Sequence, residues 1–171
     1  MKNSTNQIIT GQLDIFKEDM KFSVAHFTIF DKKKRENIHG HNFEVEFTVE
    51  FKTKKNGMFR NYRELKTILR RICSSLDEHL IIPGNNQFIE IKKNKDSTTV
   101  RFANESLVFL NRDIKILPIE NTTVEDFSEW ILLEIIKDKK LIDPSSVSCL
   151  KVEVRSSKGQ SGTSILNCSN N

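Results

Sequence analysis

Residues Ile38–Phe51 read IHGHNFEVEFTVEF, and the pattern within them decides the fold. Phe43, Val45, Phe47, Val49 and Phe51 alternate with Glu44, Glu46, Thr48 and Glu50. A period of two is the signature of a strand with one apolar and one polar face, so His39 to about Lys52 is expected to be a strand with its aromatic row buried. Carrying the parity backwards from Phe43 puts His41 and His39 on that same face. Residues two apart on a strand lie roughly 6.5 Å apart along its axis. Two imidazoles at that separation are able to converge on one ion, with Zn–N bonds of about 2.0–2.1 Å. Gly40 between them leaves room for close backbone approach.

A lone His-x-His is more often a pair of half-exposed side chains at a strand end than a metal site. Two features shift the balance. The pair stands at the mouth of a buried row, where an unpaired polar group is costly. A third histidine, His26, lies in the strand-like run FSVAHFTIF just upstream, and a neighbouring strand would set it opposite the pair. Three neutral imidazoles with an open fourth position make a catalytic zinc site. A cupin arrangement would recruit an acidic ligand after the pair, but Glu46 lies on the opposite parity from His41, and Thr53 stands where such a motif wants glycine.

Working outward, Ile8 to about Phe30 reads as strand with a bulge or bend at Gly11, and it is apolar on both parities, so both faces are expected to be covered. Lys32–Lys34 and Arg35 form a polar loop, and KTKKNG after the long strand reads as a turn. Leu65, Ile68, Leu69, Ile72 and Leu76 make a helical stripe within Asn61–Leu76. Pro83, Gly84 and Asn85 break the chain, and short strands are expected at 88–91, 100–103 and 107–110. A second helix is expected from Thr122 or Thr123 to about Lys139. Thr122 with Glu125 suits a capping box, and Val124, Phe127, Ile131 and Ile135 form its buried stripe. After Pro144, Val147–Val154 alternates as a strand, and Ile165 and Leu166 mark a weaker one. Strand pairs bracketing helices indicate an α+β fold.

The bulk composition sets limits. A chain of 171 residues with 37% hydrophobic and 29% charged residues reads as one globular domain, 1–171, able to bury a core. The net charge of +4 is too small to imply nucleic acid, and no aromatic residues interleave with the lysine runs. No apolar run approaches membrane-spanning length. Three cysteines at 73, 149 and 168 contain no CxxC pair and suggest neither a zinc ribbon nor a disulfide framework, which suits a reducing cytoplasm.

In order along the chain come FSVAH, HGHNF, GMFRNYRELK, LDEHLIIP, ENTTVEDFSEWI and KGQSG. This series, from about residue 21 to 165, resembles the 6-pyruvoyl tetrahydropterin synthase and 6-carboxy-tetrahydropterin synthase family. The wording LIIPGNN and LPIENTT is similar to the longer, archaeal-type branch. The resemblance implies the tunnelling fold: an antiparallel sheet with two helices on one face, trimers that close the sheets into a β-barrel, and a homo-hexamer of two trimers with active sites between subunits. It implies that His26, His39 and His41 hold Zn2+ and that the substrate is a small pterin, 7,8-dihydroneopterin triphosphate or an analogue. From the charge pattern and the short apolar runs, neither a nucleic acid nor a membrane is expected as a partner.

The same comparison exposes departures. The family's cysteine base stands four residues before the first His of HGH, and here that position is Arg35, whose guanidinium stays protonated. Some relatives replace the cysteine by glutamate and release 6-hydroxymethyl-dihydropterin, and Glu36 is the nearest carboxylate; a solvated loop glutamate is the plain alternative. Asp77 and His79, separated by Glu78 where the family has adjacent Asp and His, are candidates for a proton relay; alternatively His79 only favours a helix C-terminus. Thr123 and Glu125 line the pterin pocket by resemblance, although helix capping also accounts for them. Ser156 falls where the family's pterin-gripping glutamate is expected, and a hydroxyl cannot make the bidentate contact of a carboxylate. Asn61 stands where Asp is usual. A non-catalytic zinc- and pterin-binding homologue is therefore a second reading.

Overall fold

The alternating stretch forms one 13-residue strand, β3 (His39–Phe51), in the computed structural model, which describes residues 10–52, 58–138 and 146–168. The expected strand start at Ile8, the turn over 53–57, the end of the second helix at Lys139 and the break at Pro144 lie outside the described residues. Before β3 come β1 (Gly11–Ile15) and β2 (Lys21–His26). After it come α1 (Tyr62–Leu76), β4 (His79–Pro83), β5 (Ile89–Lys93), β6 (Ser97–Phe102), β7 (Glu105–Leu110), β8 (Ile114–Leu117), α2 (Val124–Ile136), β9 (Val147–Ser157) and β10 (Gln160–Asn167).

The single strand expected from Ile8 to Phe30 is two strands. β1 pairs with the far half of β3, Gly11 opposite Phe51 and Ile15 opposite Phe47. β2 pairs with its near half, Lys21 opposite Glu44 and His26 opposite His39. Residues 16–20 thus face only Val45 and Glu46; residues 16–19 turn outward, and Met20 returns to the core with its carbonyl accepting from the Val45 amide at 2.9 Å. Gly11 is not the bulge; it pairs regularly, and a Cβ there would lie 2.5 Å from the Phe51 ring.

The main sheet runs β10-β9-β3-β2-β4-β8, with β1 on the same side of β3 as β2. The expectation of a purely antiparallel sheet is corrected here, because β4 runs parallel to β2 and β8 parallel to β4. Neither β4 nor β8 was expected as a strand. The apolar run LIIP in β4 is buried at every position, so it carries no alternation to reveal it. The three predicted short strands form a separate antiparallel sheet, β5-β6-β7.

Both helices pack on one face of the main sheet. Leu65, Leu69 and Leu76 of α1 and Phe127, Ile131 and Ile135 of α2 meet Phe22, Phe43, Val45 and Phe47 in one core. On the other parity of the β2 run, Phe27 and Ile29 meet Leu80, Ile82, Val100 and Phe102 in a second core, which the small sheet supplies. Both faces of the run are thus covered from Val24 to Ile29, while Ser23 and Phe30 near its ends are exposed. Among the described residues no helix is long and apolar enough to cross a membrane.

The helix caps are local. Asn61 accepts from the Arg63 amide at 3.0 Å and starts α1. Thr123, not Thr122, caps α2, accepting from the Asp126 amide at 3.3 Å. The carboxylate that turns back is Asp126, not Glu125, and it accepts from the Asn121 amide at 2.5 Å, two residues before the cap, rather than from the cap residue's own amide. Thr122 is fully buried and is used elsewhere.

Gly162 of the KGQSG segment lies where β10 meets the start of α2. A Cβ at Gly162 would come within 2.7 Å of the Val124 carbonyl carbon and the Glu125 amide nitrogen, both main-chain atoms unable to move without shifting the helix. Gly162→Ala is therefore expected to destabilise the fold by about 1–3 kcal/mol, read as a lower urea midpoint at unchanged slope; a midpoint equal to that of the parent protein would contradict this packing.

Candidate metal centre

The register of β2 against β3 sets His26 directly opposite His39, with His41 one pleat further along, opposite Val24. All three side chains lie on the face of the aromatic row. The ring centroids are 4.6 Å apart for His26–His39, 5.3 Å for His26–His41 and 4.9 Å for His39–His41. One nitrogen from each falls within 4.8 Å of the others. Below them Phe22, Phe43 and Phe127 stack and cross at 5.0–5.6 Å, closing the floor with apolar rings.

The hydrogen bonds choose the tautomers. His26 Nδ1 meets the Thr122 carbonyl at 2.9 Å, and His39 Nδ1 meets the Asn37 carbonyl at 2.8 Å. A carbonyl only accepts, so each Nδ1 carries the proton and each Nε2 keeps its lone pair. His26 Nε2 is buried and has no partner. A buried imidazole nitrogen left unpaired is costly, and an ion between the three rings would satisfy it. Burial of the ring, followed by the neighbouring His39 and His41, pushes the His26 imidazole down to about 4, although the Thr122 bond works the other way. His26 is neutral near pH 7, the form that ligates. The donor set therefore fits a divalent ion of zinc type, with outer hydrogen bonds to main-chain carbonyls.

The segment Asn121–Thr123 builds this outer support. Asn121 accepts from the Ile29 amide at 3.0 Å and donates to the Ile29 carbonyl at 2.8 Å, imitating a strand partner. Thr122 donates from its hydroxyl to the Phe27 carbonyl at 2.8 Å while its own carbonyl holds His26. Asn121 and Thr122 were not singled out as functional residues from sequence. Three consecutive short polar side chains before an apolar helix stripe were the available signal, and it read as capping alone.

The carboxylate of Glu36 is placed by a short extended pairing. Glu36 N–H donates to the Thr28 carbonyl at 2.8 Å, and Thr28 N–H donates to Glu36 Oε2 at 3.0 Å. Burial raises the Glu36 carboxyl, but the Thr28 hydrogen bonds and the nearby His39 and His26 outweigh it and hold the group below its usual range. Arg35, at the expected cysteine position, points the other way, its guanidinium 5.3 Å from the Phe27 ring centroid. None of the cysteines takes its place: burial pushes Cys73 up to about 12 and also raises Cys149 and Cys168.

Beyond His41 an open cleft is lined by Ser23, Asn42, His79 and Ser156, among others. Ser23 donates to Asn42 Oδ1 at 2.7 Å. His79, half-buried, opens β4, whereas Glu78 is exposed in a left-handed turn at φ 61°. The Asp77 carboxylate accepts from the Ser23 amide at 2.7 Å, and the His79 ring meets the Asp77 carbonyl at 2.6 Å. The two residues are thus linked through the main chain. Thr123 and Glu125 line a different depression with Asn85, Phe88 and Glu120, which shares no residue with the His41 cleft.

Comparison with known proteins gives one consistent result. Residues 14–164 match the family model described as 6-pyruvoyl tetrahydropterin synthase. A Methanocaldococcus jannaschii protein, provisionally named 6-carboxy-5,6,7,8-tetrahydropterin synthase, is 27% identical over 144 residues, 82% of this chain and 86% of that one. The crystal structure of 6-pyruvoyl tetrahydropterin synthase from Plasmodium vivax superposes with a TM-score of 0.86 at 28% identity, covering 93% of this chain and 99% of that one. Two further structures of the P. vivax enzyme, each with TM-score 0.86 and 27% identity over 93% of this chain and 99% of theirs, carry alanine and cysteine in place of a catalytic glutamate.

The clamp on His26 has a measurable consequence. Thr122→Val removes the hydroxyl that ties the supporting loop to Phe27, and it is expected to weaken divalent-metal affinity about tenfold or more, with Thr122→Ser close to the parent protein. Competition against a chelating indicator reads this; equal affinity in the valine variant would show that the outer bond does not hold the ligand.

Proposed function

The chain belongs to the 6-pyruvoyl tetrahydropterin synthase family, and on that premise we propose that it is a zinc-dependent lyase acting on 7,8-dihydroneopterin triphosphate or a close analogue, with Glu36 as the base. The observation that carries the reading is the three-imidazole cluster with the buried, unpartnered Nε2 of His26. Zinc held by His26, His39 and His41 would supply Lewis-acid polarisation of the substrate's side-chain oxygens.

The protein's own residues supply the rest. Glu36 stays ionised near neutral pH, because the Thr28 hydrogen bonds offset its partial burial and hold its carboxyl below the usual range. It is thereby able to accept a proton from the pterin side chain. His79, its Nδ1 held by the Asp77 carbonyl, keeps Nε2 available to pass a proton in the His41 cleft. Ser156 lines the same cleft and offers a single hydroxyl to the pterin where a carboxylate would offer two oxygens. Thr123 and Glu125 lie in the separate depression at the start of α2. Their part in the pterin pocket requires that a neighbouring subunit bring that depression against the cleft, which is the reason to expect the hexamer and the closed barrel.

Carbon–carbon cleavage with release of 6-hydroxymethyl-dihydropterin is the outcome favoured by Glu36. The supporting observation is that the P. vivax relative also uses a catalytic glutamate. Incubation of the purified, zinc-loaded protein with 7,8-dihydroneopterin triphosphate is expected to yield that product, identified by mass and fluorescence. Glu36→Gln is expected to lower kcat by about 10²–10⁴-fold. Saturable pterin binding without product would establish the non-catalytic reading, and absence of both would end the pterin assignment.

A further inference from the structure

We propose that Arg35, at the position of the family's cysteine, is the positioning residue for Glu36, and that the β5–β7 sheet is the buttress it leans on. The inference rests on the assignment of Glu36 as base. The Arg35 side chain is held from several sides and is only 13% exposed. Its Nε donates to Glu105 Oε2 at 2.7 Å, and its Nη2 lies 2.5 Å from the same oxygen. Its Nη1 donates to the main-chain carbonyl of Glu36 at 2.7 Å. The guanidinium carbon lies over the ring of Phe27, a fully buried residue of the second core.

Glu105 is the first residue of β7, directly after the turn that carries Ala103 in the left-handed region at φ 48°. It is fixed because Glu105 pairs with Phe102 of β6, and Phe102 is packed with Phe27 and Ile29. The small sheet therefore reaches the 35–36 segment by two routes, the apolar contact under Phe27 and the ion pair at its rim.

The reason such support matters is parity. Arg35 forms a bridge with Ile29, and Glu36 pairs with Thr28. Along an extended segment, adjacent side chains point to opposite faces. Arg35 accordingly turns to the small sheet and Glu36 to His26 and His39. A slip of one residue would exchange the faces. It would present a permanent cation to the imidazoles and send the carboxylate away. The Arg35–Glu105 pair and the Arg35 bond to the Glu36 carbonyl oppose that slip, so the cation acts by fixing register, without touching substrate.

The test uses the full-length zinc-loaded protein with 7,8-dihydroneopterin triphosphate and the variants Glu105→Gln, Arg35→Met, Arg35→Lys and the double Arg35→Met/Glu105→Gln. The expected result is a fall in kcat of about ten- to a hundredfold in Arg35→Met and a smaller fall in Glu105→Gln. KM, zinc content and melting temperature should stay at parent values. The double variant should be no worse than Arg35→Met alone, because the two side chains act as one unit, and Arg35→Lys should recover part of the loss. Unchanged kcat in Glu105→Gln, or losses that multiply in the double variant, would overturn the buttress while an inactive Glu36→Gln leaves the base in place. A fully active Glu36→Gln, or a parent protein without turnover, overturns the base and the buttress together.

Discussion

The site depends on one register, the antiparallel pairing that sets His26 opposite His39 and Val24 opposite His41. Shifting β2 by one residue would turn Phe22, Val24 and His26 to the opposite face and empty both the core and the cluster at once. The same side-chain alternation therefore maintains hydrophobic burial and ligand geometry. Apolar packing of Phe22, Phe43 and Phe127 supports the register directly beneath the imidazoles.

That floor also sets the chemistry. Buried rings exclude water from the underside of the cluster, so an imidazole there is pressed toward its neutral form. Main-chain carbonyls at Thr122 and Asn37 then hold the protons of His26 and His39 on Nδ1, and one nitrogen of each of the three rings lies within 4.8 Å of the others. Three like nitrogens gathered without a shared proton donor make an arrangement that a cation would stabilise. The start of α2 contributes to this through Asn121 and Thr122, which splice the helix onto the end of β2, while Thr123 caps the helix itself. One short segment thus anchors the helix, extends the sheet and orients a ligand.

The departures from the family pattern become intelligible in the same terms. Arg35 and Glu36 occupy opposite faces of one extended segment, so Glu36 and not Arg35 is the residue turned to the imidazoles. The second core under Phe27 and Ile29 gives the small β5–β7 sheet its attachment, and Glu105 at its rim meets Arg35. At Ser156 the position lies in the His41 cleft with His79, yet no carboxylate among the residues lining that cleft except Glu78 and Asp113 accompanies it.

By itself the sequence determined the elements whose patterns are local. The period of two in β3, the stripe of Leu65 to Leu76, and the histidines at 39 and 41 on the aromatic parity were all readable, because side-chain periodicity is a property of adjacent residues. Only tertiary structure decided the rest. It divided the first strand at residues 16–20, since the count of residues opposite β3 appears only once the two are paired. It made strands of LIIP and IKIL, which are too buried or too short to alternate. It moved the cap from Thr122 to Thr123 and gave Thr122 to His26, a partner 96 residues away in the chain. It turned Glu36 toward the imidazoles and Arg35 toward the β5–β7 sheet, a choice fixed by pairing with Thr28 and Ile29. In each case the deciding contact joins residues far apart in sequence, and no local pattern encodes which distant atom will accept a given proton.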